Sequence, residues 1–241
     1  MIPISVIVPA YNEERFLPRS LSSLLHSGIG LADAFPGSEY ELIVVDNGSA
    51  DATAAVARDY GATVVTERRR NVACARNRGA ATARGELLAF VDADYRVPLS
   101  FLAEAVRQFR ADPALTAAGV RVVLEPSEID PLTRSNVRVA LFTLRRLANM
   151  SFGVFILRRD YFSRLHGFDE GTYAYEDIEL LDRIKRDQRA GSACYRVLGN
   201  VTAYASARGF YRRGMIPTYL RMAMSPRARR NPSKCGYWYE R

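Results

Sequence analysis

Lysine is nearly absent from this chain: Lys185 and Lys234 are the only two among 34 basic residues. Almost all of its positive charge is therefore guanidinium, a group that pairs bidentately with phosphate and carboxylate. Cysteine is sparse too. Cys74, Cys194 and Cys235 lie far apart, with no C-x-x-C pair to hold zinc and an odd number that cannot close into a full disulfide set. Long apolar runs are missing, since nothing approaches the roughly 18 uninterrupted apolar residues of a membrane span. The Met1-Ile2-Pro3-Ile4-Ser5 start has no basic region leading into an apolar one, and a cytoplasmic protein is expected. No G-x-G-x-x-G follows the first apolar run, which excludes a dinucleotide-dependent oxidoreductase. The same loop is neither glycine-rich nor basic, which argues against a nucleotidyltransferase.

What is present suits an ordinary globular protein. The 241 residues, 48% hydrophobic and 25% charged, are enough for one large α/β domain with an appendage, held by its own core. Formal net charge is +8. Its basic residues gather late, at Arg208, Arg212, Arg213, Arg221, Arg227, Arg229 and Arg230, interleaved with Phe210, Tyr211, Tyr219 and Tyr237. A nucleoside diphosphate, an anionic membrane surface and nucleic acid all fit such a tail, as does a plain solvated face.

Apolar periodicity gives repeated strand–loop–helix units. Ile4 to Val8 reads as a strand stopped by Pro9, followed by a helix through Leu17, Leu21, Leu24 and Leu25 with Asn12 as its cap. Glu41 to Val45 is a second strand, ending at Asp46-Asn47-Gly48-Ser49, with Ser49 or Asp51 capping a helix to Gly61. A third unit runs from a strand at Ala62–Thr66 to a small-residue helix at Asn71–Ala83. Leu87 to Val91 is uninterrupted apolar sequence, expected as a central parallel strand covered by helices on both faces. Beyond it are expected a helix over Leu99–Arg110, a strand over Thr116–Leu124 and a partly helical stretch over Pro126–Asn149. Then come a strand at Ser151–Leu157, a helical turn at Arg159–Leu165, a helix over Glu176–Gln188 and a strand within Cys194–Ser206. A basic amphipathic helix over Gly209–Met224 closes the chain.

Right-handed βαβ units bring the carboxyl ends of parallel strands to one edge of the sheet, where ligands bind. Pro9-Ala10-Tyr11-Asn12-Glu13, Asp46-Asn47-Gly48-Ser49 and Asp92-Ala93-Asp94 all fall there. Asp92 and Asp94 repel one another unless a cation neutralises them. Oxygen ligands beside a diphosphate suit Mg²⁺ or Mn²⁺, which complete their shells with phosphate and water. On the helix from Glu176, Asp177 leads the stripe Leu180, Leu181 and Ile184, so a carboxylate heads an inward face. It is a candidate general base, or a partner of the helix dipole. Tyr11 offers a face for a base and Asp46 an acceptor for one. Arg76 either reaches phosphate or braces the acidic loops. His26 sits in an amphipathic helical pattern without further signal, whereas His166, ahead of a glycine-containing loop, is an acceptor-site candidate.

Taken together, Ser5 to Glu13, Glu41 to Ser49 with Asp51, Ala75-Arg76-Asn77-Arg78-Gly79, Gly85 to Asp94, and Gly167-Phe168-Asp169-Glu170 ahead of Glu176-Asp177 resemble the family 2 glycosyltransferases of the GT-A fold. Order and spacing agree from residue 2 to about residue 190. The resemblance implies an α/β fold: a Rossmann-like, mostly parallel nucleotide-binding sheet with helices on both faces and a small acceptor-side C-terminal part. It implies a single domain over 1–241, with a nucleotide-sugar half at 1–125, an acceptor half at 126–208 and a basic helix and tail at 209–241. Pro9, Tyr11 and Asp46 are implied to contact the nucleotide, and Asp92 and Asp94 the ribose, diphosphate and a divalent metal (Mn²⁺ or Mg²⁺). Asp177 is implied as base of an inverting displacement. Glu13, Arg76, Ala93 and Arg208 complete the expected donor site, and Gly153, His166 and Glu176 the acceptor side.

Many relatives supply a histidine after the last strand as a further metal ligand, whereas here Tyr204-Ala205-Ser206-Ala207-Arg208 has none. Metal is then held less tightly, or Arg208 takes part of that role towards the diphosphate. The expected partners are a UDP- or GDP-sugar and a lipid-linked or saccharide acceptor. Peripheral membrane contact through the basic tail and a homodimer are compatible, and nucleic acid is not expected. A catalytically weak sugar-nucleotide or nucleic-acid binding protein is the rival reading.

Overall fold

The computed structural model describes residues 3–128, 153–210, 229–231 and 235. The expected helical stretch within Pro126–Asn149 beyond Glu128, the basic helix over Gly209–Met224 beyond Phe210 and most of the arginine-rich tail lie outside these residues.

Eight strands form one mixed sheet: β1 (Ile4–Ala10), β2 (Tyr40–Asp46), β3 (Thr63–Thr66), β4 (Leu87–Val91), β5 (Tyr95–Arg96), β6 (Ala117–Leu124), β7 (Val154–Arg158) and β8 (Tyr195–Ala205). Their spatial order is β3-β2-β1-β4-β7-β6-β8-β5. The strands β3, β2, β1 and β4 run parallel, and β6 runs parallel to β8. The neighbour of β4 on its other side, β7, is antiparallel. Leu87–Val91 is thus a buried inner strand as its apolar run requires, but only one of its two edges has a parallel partner. Pro9 lies inside β1 rather than ending it. Pairing with β4 stops at Ile7, so the missing N–H of Pro9 falls where β1 has outrun that neighbour.

The α-helices among the described residues are α1 (Leu17–Ala34), α2 (Thr53–Asp59), α3 (Val72–Thr82), α4 (Phe101–Ala111), α5 (Arg159–Arg164) and α6 (Glu176–Arg189). They cover both faces of the sheet, and strand alternation sorts the core into two halves. Val6 and Val8 of β1 and Leu87, Ala89 and Val91 of β4 pack with Leu17, Leu21, Leu24 and Leu31 of α1 and Phe101, Leu102 and Phe109 of α4. On the opposite face, Ile7, Ile43, Leu88 and Phe90 pack with Ala73 and Ala75 of α3 and Leu180, Leu181 and Ile184 of α6. Each fully buried leucine contributes about 1.5–3 kcal/mol. The small residues of α3 let it lie close to the sheet. A Cβ on Gly79 would collide with Ile7 and come within 3.0 Å of Val45 Cγ2.

Two expected caps are not made as foreseen. Asn12 does not cap α1. It takes a left-handed φ of 51°, and its Oδ1 accepts from Ala50 N at 2.9 Å, stitching the β1 loop to the β2 loop. The first turn of α1 is closed instead by Glu13 O, which accepts from Phe16 N and Leu17 N at 3.0 and 2.8 Å. Helix α2 starts late, at Thr53, with Ala52 in the capping position; Asp51 Oδ1 still accepts from Thr53 N at 3.0 Å. Asn71 does cap α3, accepting from Ala73 N and Cys74 N at 2.7 and 3.2 Å.

Beneath the edge that carries the acidic motif, Phe90 of β4, Phe162 of α5 and Phe168 form an aromatic triangle with ring centres 5.0–5.7 Å apart. Among the described residues, no helix is long and apolar enough to cross a membrane.

Candidate active site

The carboxyl ends of β1, β2 and β4 open into a cleft of about 610 Å³, its solvent-filled mouth included. Of the residues expected at the site, Pro9, Tyr11, Glu13, Arg76, Asp92, Ala93, Asp94 and Glu176 line it, together with Ala10, Asn47 and Val72. The loops are fixed to one another. Asn12 N and Glu13 N donate to Ser49 Oγ and Thr53 Oγ1 at 2.9 and 2.7 Å. Asn47 Nδ2 donates to Glu67 O and Arg69 O at 2.9 and 2.7 Å, while its Oδ1 accepts from Asn71 N at 3.1 Å. The third loop, and with it α3, is thereby held in place by a side chain of the second.

From α3, Arg76 enters the cleft with only 2% of its side chain exposed. Its Nη2 donates to Asp92 Oδ1 at 2.6 Å, its Nη1 donates to the buried Glu176, and its guanidinium lies 5.2 Å from the centre of the Phe168 ring. Arg76 therefore braces the acidic loops, the second of its two expected roles. Its Nε has no partner among the described residues. Burial still pushes the Asp92 carboxyl above the ordinary range, with Arg76 opposing and Asp94 adding to the rise.

Asp94 faces a different cation. Arg208 Nε donates to Asp94 Oδ2 at 2.9 Å and its Nη2 to Glu13 Oε1 at 2.5 Å. The guanidinium stacks 4.2 Å from the centre of the Phe16 ring. The four cleft acids Glu13, Asp92, Asp94 and Glu176 thus meet two guanidinium groups.

The loop that follows α5 docks on α3 through Asn77, whose Nδ2 donates to Phe168 O and whose Oδ1 accepts from Phe168 N, both at 2.9 Å. It leads to Tyr175, in a left-handed conformation with φ 60°, and then to α6. Asp177 sits half-buried in the first turn of α6, its Oδ1 accepting from Ile178 N at 2.8 Å. It is one residue beyond the cleft wall formed by Glu176. Burial pushes its carboxyl up to about 7, and Glu176 and Asp92 add to this while Arg76 opposes it.

Five expected site residues are not among those that line the cleft: Asp177 and Arg208, placed above, and Asp46, Gly153 and His166. Asp46 is buried, and its Oδ1 accepts from Ser49 N at 3.0 Å. Gly153 does not line the cleft and lies beside Asp92, whose N–H donates to Gly153 O at 3.0 Å. Its φ is +68°, and a Cβ there would stand 2.6 Å from Asp92 Oδ2 and 2.7 Å from Tyr95 Cζ. His166 takes a left-handed φ of 58° just past α5, its N–H donating to Ser163 O at 3.0 Å, and does not line the cleft. A left-handed residue at a helix end is a means of stopping the helix, which accounts for this position without a ligand.

Sequence reasoning missed Tyr95, Phe16 and Arg70. Burial raises the Tyr95 phenol well above its usual range, and Asp92, Asp94 and Asp177 reinforce the shift. Arg70 lies 4.7 Å over the Tyr11 ring at the rim. Arg70 belongs to the run Arg68-Arg69-Arg70, a basic cluster after a strand, and that signal was available.

Comparison with known proteins follows the same lines. A family model described as Glycosyl transferase family 2 matches residues 5–166. Dolichyl-phosphate beta-glucosyltransferase of Drosophila melanogaster is 41% identical over 101 residues, which cover 39% of this chain and 31% of that protein. Among solved structures, mannosyltransferase PcManGT from Pyrobaculum calidifontis, in complex with GDP-Man and Mn²⁺, superposes with a TM-score of 0.69 at 24% identity, covering 95% of this chain and 63% of that one. Glucosyl-3-phosphoglycerate synthase from Mycobacterium tuberculosis, in complex with Mn²⁺ and UDP-Glc, gives 0.61 at 23% identity, with coverage of 98% and 79%. The chain spans under a third of the length of the curated relatives it matches. Its motifs, its sheet and the match over residues 5–166 agree: the chain belongs to glycosyltransferase family 2 and has the GT-A fold.

Proposed function

We propose that this chain moves a sugar from a UDP- or GDP-sugar to an acceptor hydroxyl, with inversion and with the help of a divalent metal. One observation carries the reading: Asp92, Asp94, Glu13 and Glu176 converge with two guanidinium groups in a cleft whose floor is the loop Pro9–Tyr11. The named donors of the two superposable structures, GDP-Man and UDP-Glc, are the chemistry such a cleft would take.

The residues fit a divalent metal in charge. Among the described residues, four carboxylates against two guanidiniums leave a surplus of negative charge in a site that must also receive a diphosphate, and a divalent cation offsets it. Asp94 and Asp92 would hold the ion. Among the described residues no group of three or more His, Cys, Asp and Glu is placed to grasp it unaided, so phosphate oxygens and water would complete its shell. When bound, the metal offsets the charge that develops on the departing nucleoside diphosphate.

The remaining work belongs to the chain. Pro9 and Tyr11 offer the nucleoside an apolar wall and an aromatic face. Arg76 holds the Asp92 carboxylate still, so the donor meets a site organised in advance. Asp177 takes the proton of the acceptor hydroxyl while its oxygen attacks the anomeric carbon, and the bond from that carbon to the diphosphate oxygen breaks with its electron pair leaving on the diphosphate. We assign residues 1–125 to the donor side and 126–208 to the acceptor side.

The test is release of nucleoside diphosphate from UDP-, GDP- and dTDP-sugars with and without Mn²⁺, in the presence of lipid-linked and saccharide acceptors. Metal-stimulated turnover with a UDP- or GDP-sugar and an inverted product linkage are the expected results. No turnover with any donor, together with salt-sensitive RNA binding, would return the assignment to a binding protein.

A further inference from the structure

Arg208 is held next to the acidic motif by backbone as well as by charge. Strand β5 pairs with the end of β8, Tyr95 opposite Ala205, and Ser206 N donates to Asp94 O at 3.3 Å. Ser206 Oγ and Ala207 N both donate to Glu128 Oε2 at 2.8 Å, and Arg19 of α1 grips Glu128 in turn at 2.8 Å. The turn that presents Arg208 is therefore anchored on both sides.

Its two carboxylate partners are not equivalent. Glu13 is 2% exposed and needs a standing counter-charge, because a buried carboxylate without one is strongly disfavoured. Asp94 is 17% exposed and faces the cleft. The guanidinium holds Glu13 through Nη2 and Asp94 through Nε, and its Nη1 has no hydrogen-bond partner among the described residues. Arg208 occupies Asp94 Oδ2 alone, but a guanidinium already neutralising that carboxylate weakens its pull on a divalent ion and repels the ion as a like charge, so the two cations oppose one another at Asp94.

Building on the donor-site reading above, we propose that Arg208 is the internal cation of the diphosphate site, in competition with the metal for Asp94. In the empty chain Arg208 neutralises Asp94. When a metal-bound nucleoside diphosphate arrives, Arg208 keeps Glu13 as its pivot, releases Asp94 to the ion and turns its free N–H groups onto a phosphate oxygen. Metal and nucleotide then bind well only together, because each removes an obstacle to the other.

This gives two effects of opposite sign on removing Arg208. Mn²⁺ binding, read by electron paramagnetic resonance with MnCl₂ alone, is compared with UDP and GDP binding read by calorimetry at saturating Mn²⁺, for the wild-type chain, Arg208→Gln and Arg208→Lys. Arg208→Gln is expected to bind Mn²⁺ alone about tenfold more tightly and the nucleotide about tenfold more weakly, each about 1.4 kcal/mol. Arg208→Lys, which keeps the charge but lacks the planar fork that reaches Glu13 and Asp94 from different nitrogens, is expected to shift both affinities in the same directions by less, and serves alone if Arg208→Gln does not fold. Unchanged or weaker Mn²⁺ affinity in the variants overturns the competition, as does unchanged nucleotide affinity. If the wild-type chain binds neither UDP nor GDP with Mn²⁺, the donor-site reading falls and this one with it. Nucleotide binding without the Mn²⁺ shift removes this inference alone.

Discussion

Arg76 Nη2 lies 2.6 Å from Asp92 Oδ1, so a helix of the third βα unit holds the first acid of the motif that ends β4. The same guanidinium holds Glu176. Replacing Arg76 with Ala leaves two acids in the cleft wall without their shared counter-charge. A loss of about 3–5 kcal/mol of stability is expected, since breaking a buried pair strands its partners. Chemical denaturation would measure it, and Glu176→Gln in the Arg76→Ala background should recover part of the loss. A cost below about 1 kcal/mol would show that the brace is not structural.

Asp177 should set the acid limb of activity. Its carboxyl stands at about 7, raised by burial first and by Glu176 of α6 and Asp92 at the end of β4, and opposed by Arg76 of α3. The raised phenol of Tyr95 adds no charge near neutrality. As the base must be ionised, kcat/KM should fall tenfold per pH unit below about pH 7. Asp177→Asn should abolish transfer and leave donor binding nearly intact.

Stability follows the same group with the opposite sign. The folded chain holds the Asp177 proton up to about pH 7, whereas an unfolded aspartate loses it near about 3.9. Between those values the native state binds more protons, so this residue's contribution to stability falls as pH rises. Asp177→Asn should therefore be more stable than the wild-type chain at pH 8, with the difference vanishing near pH 4. Thermal melts across that range would show it, and an Asn variant that loses stability with rising pH as the wild type does would refute the shift.

Asp94→Asn tests the metal step. Losing one charged oxygen ligand removes on the order of 1.5–3 kcal/mol, so metal-dependent donor affinity should weaken by about ten- to a hundredfold. Binding without metal should change far less. Titration curves that superimpose on those of the wild type would count against Asp94 as a ligand.

Gly153→Ala should harm activity more than stability. The left-handed backbone costs about 1–2 kcal/mol with a side chain, while the new Cβ would stand 2.6 Å from Asp92 Oδ2 and push it aside. A displacement of about 1 Å at such a group can cost about a hundredfold in rate. Kinetics and melts on one preparation would separate the two effects.

The first four strands were legible because their signals are local. Leu87–Val91 is a strand with those same bounds, and the helix expected over Asn71–Ala83 is there as Val72–Thr82. The pairing of β4 with the antiparallel β7 was not, because Val154–Arg158 is simply another apolar run, and nothing in it states direction or neighbour. Arg208 and Glu13 are 195 positions apart, and only the assembled sheet brings them together. Asn12 misled for a physical reason. The residue type that caps helices also tolerates left-handed backbone, and here the second property decided its place.

The aromatic triangle of Phe90, Phe162 and Phe168 joins the strand that ends at Asp92 to the loop that leads to Asp177. The strand that carries the acidic motif and the loop ahead of Asp177 consequently rest on a common foundation. Warming or mutation that loosens these rings should blunt recognition of both substrates together, and a change of acceptor preference alone has to originate nearer the surface.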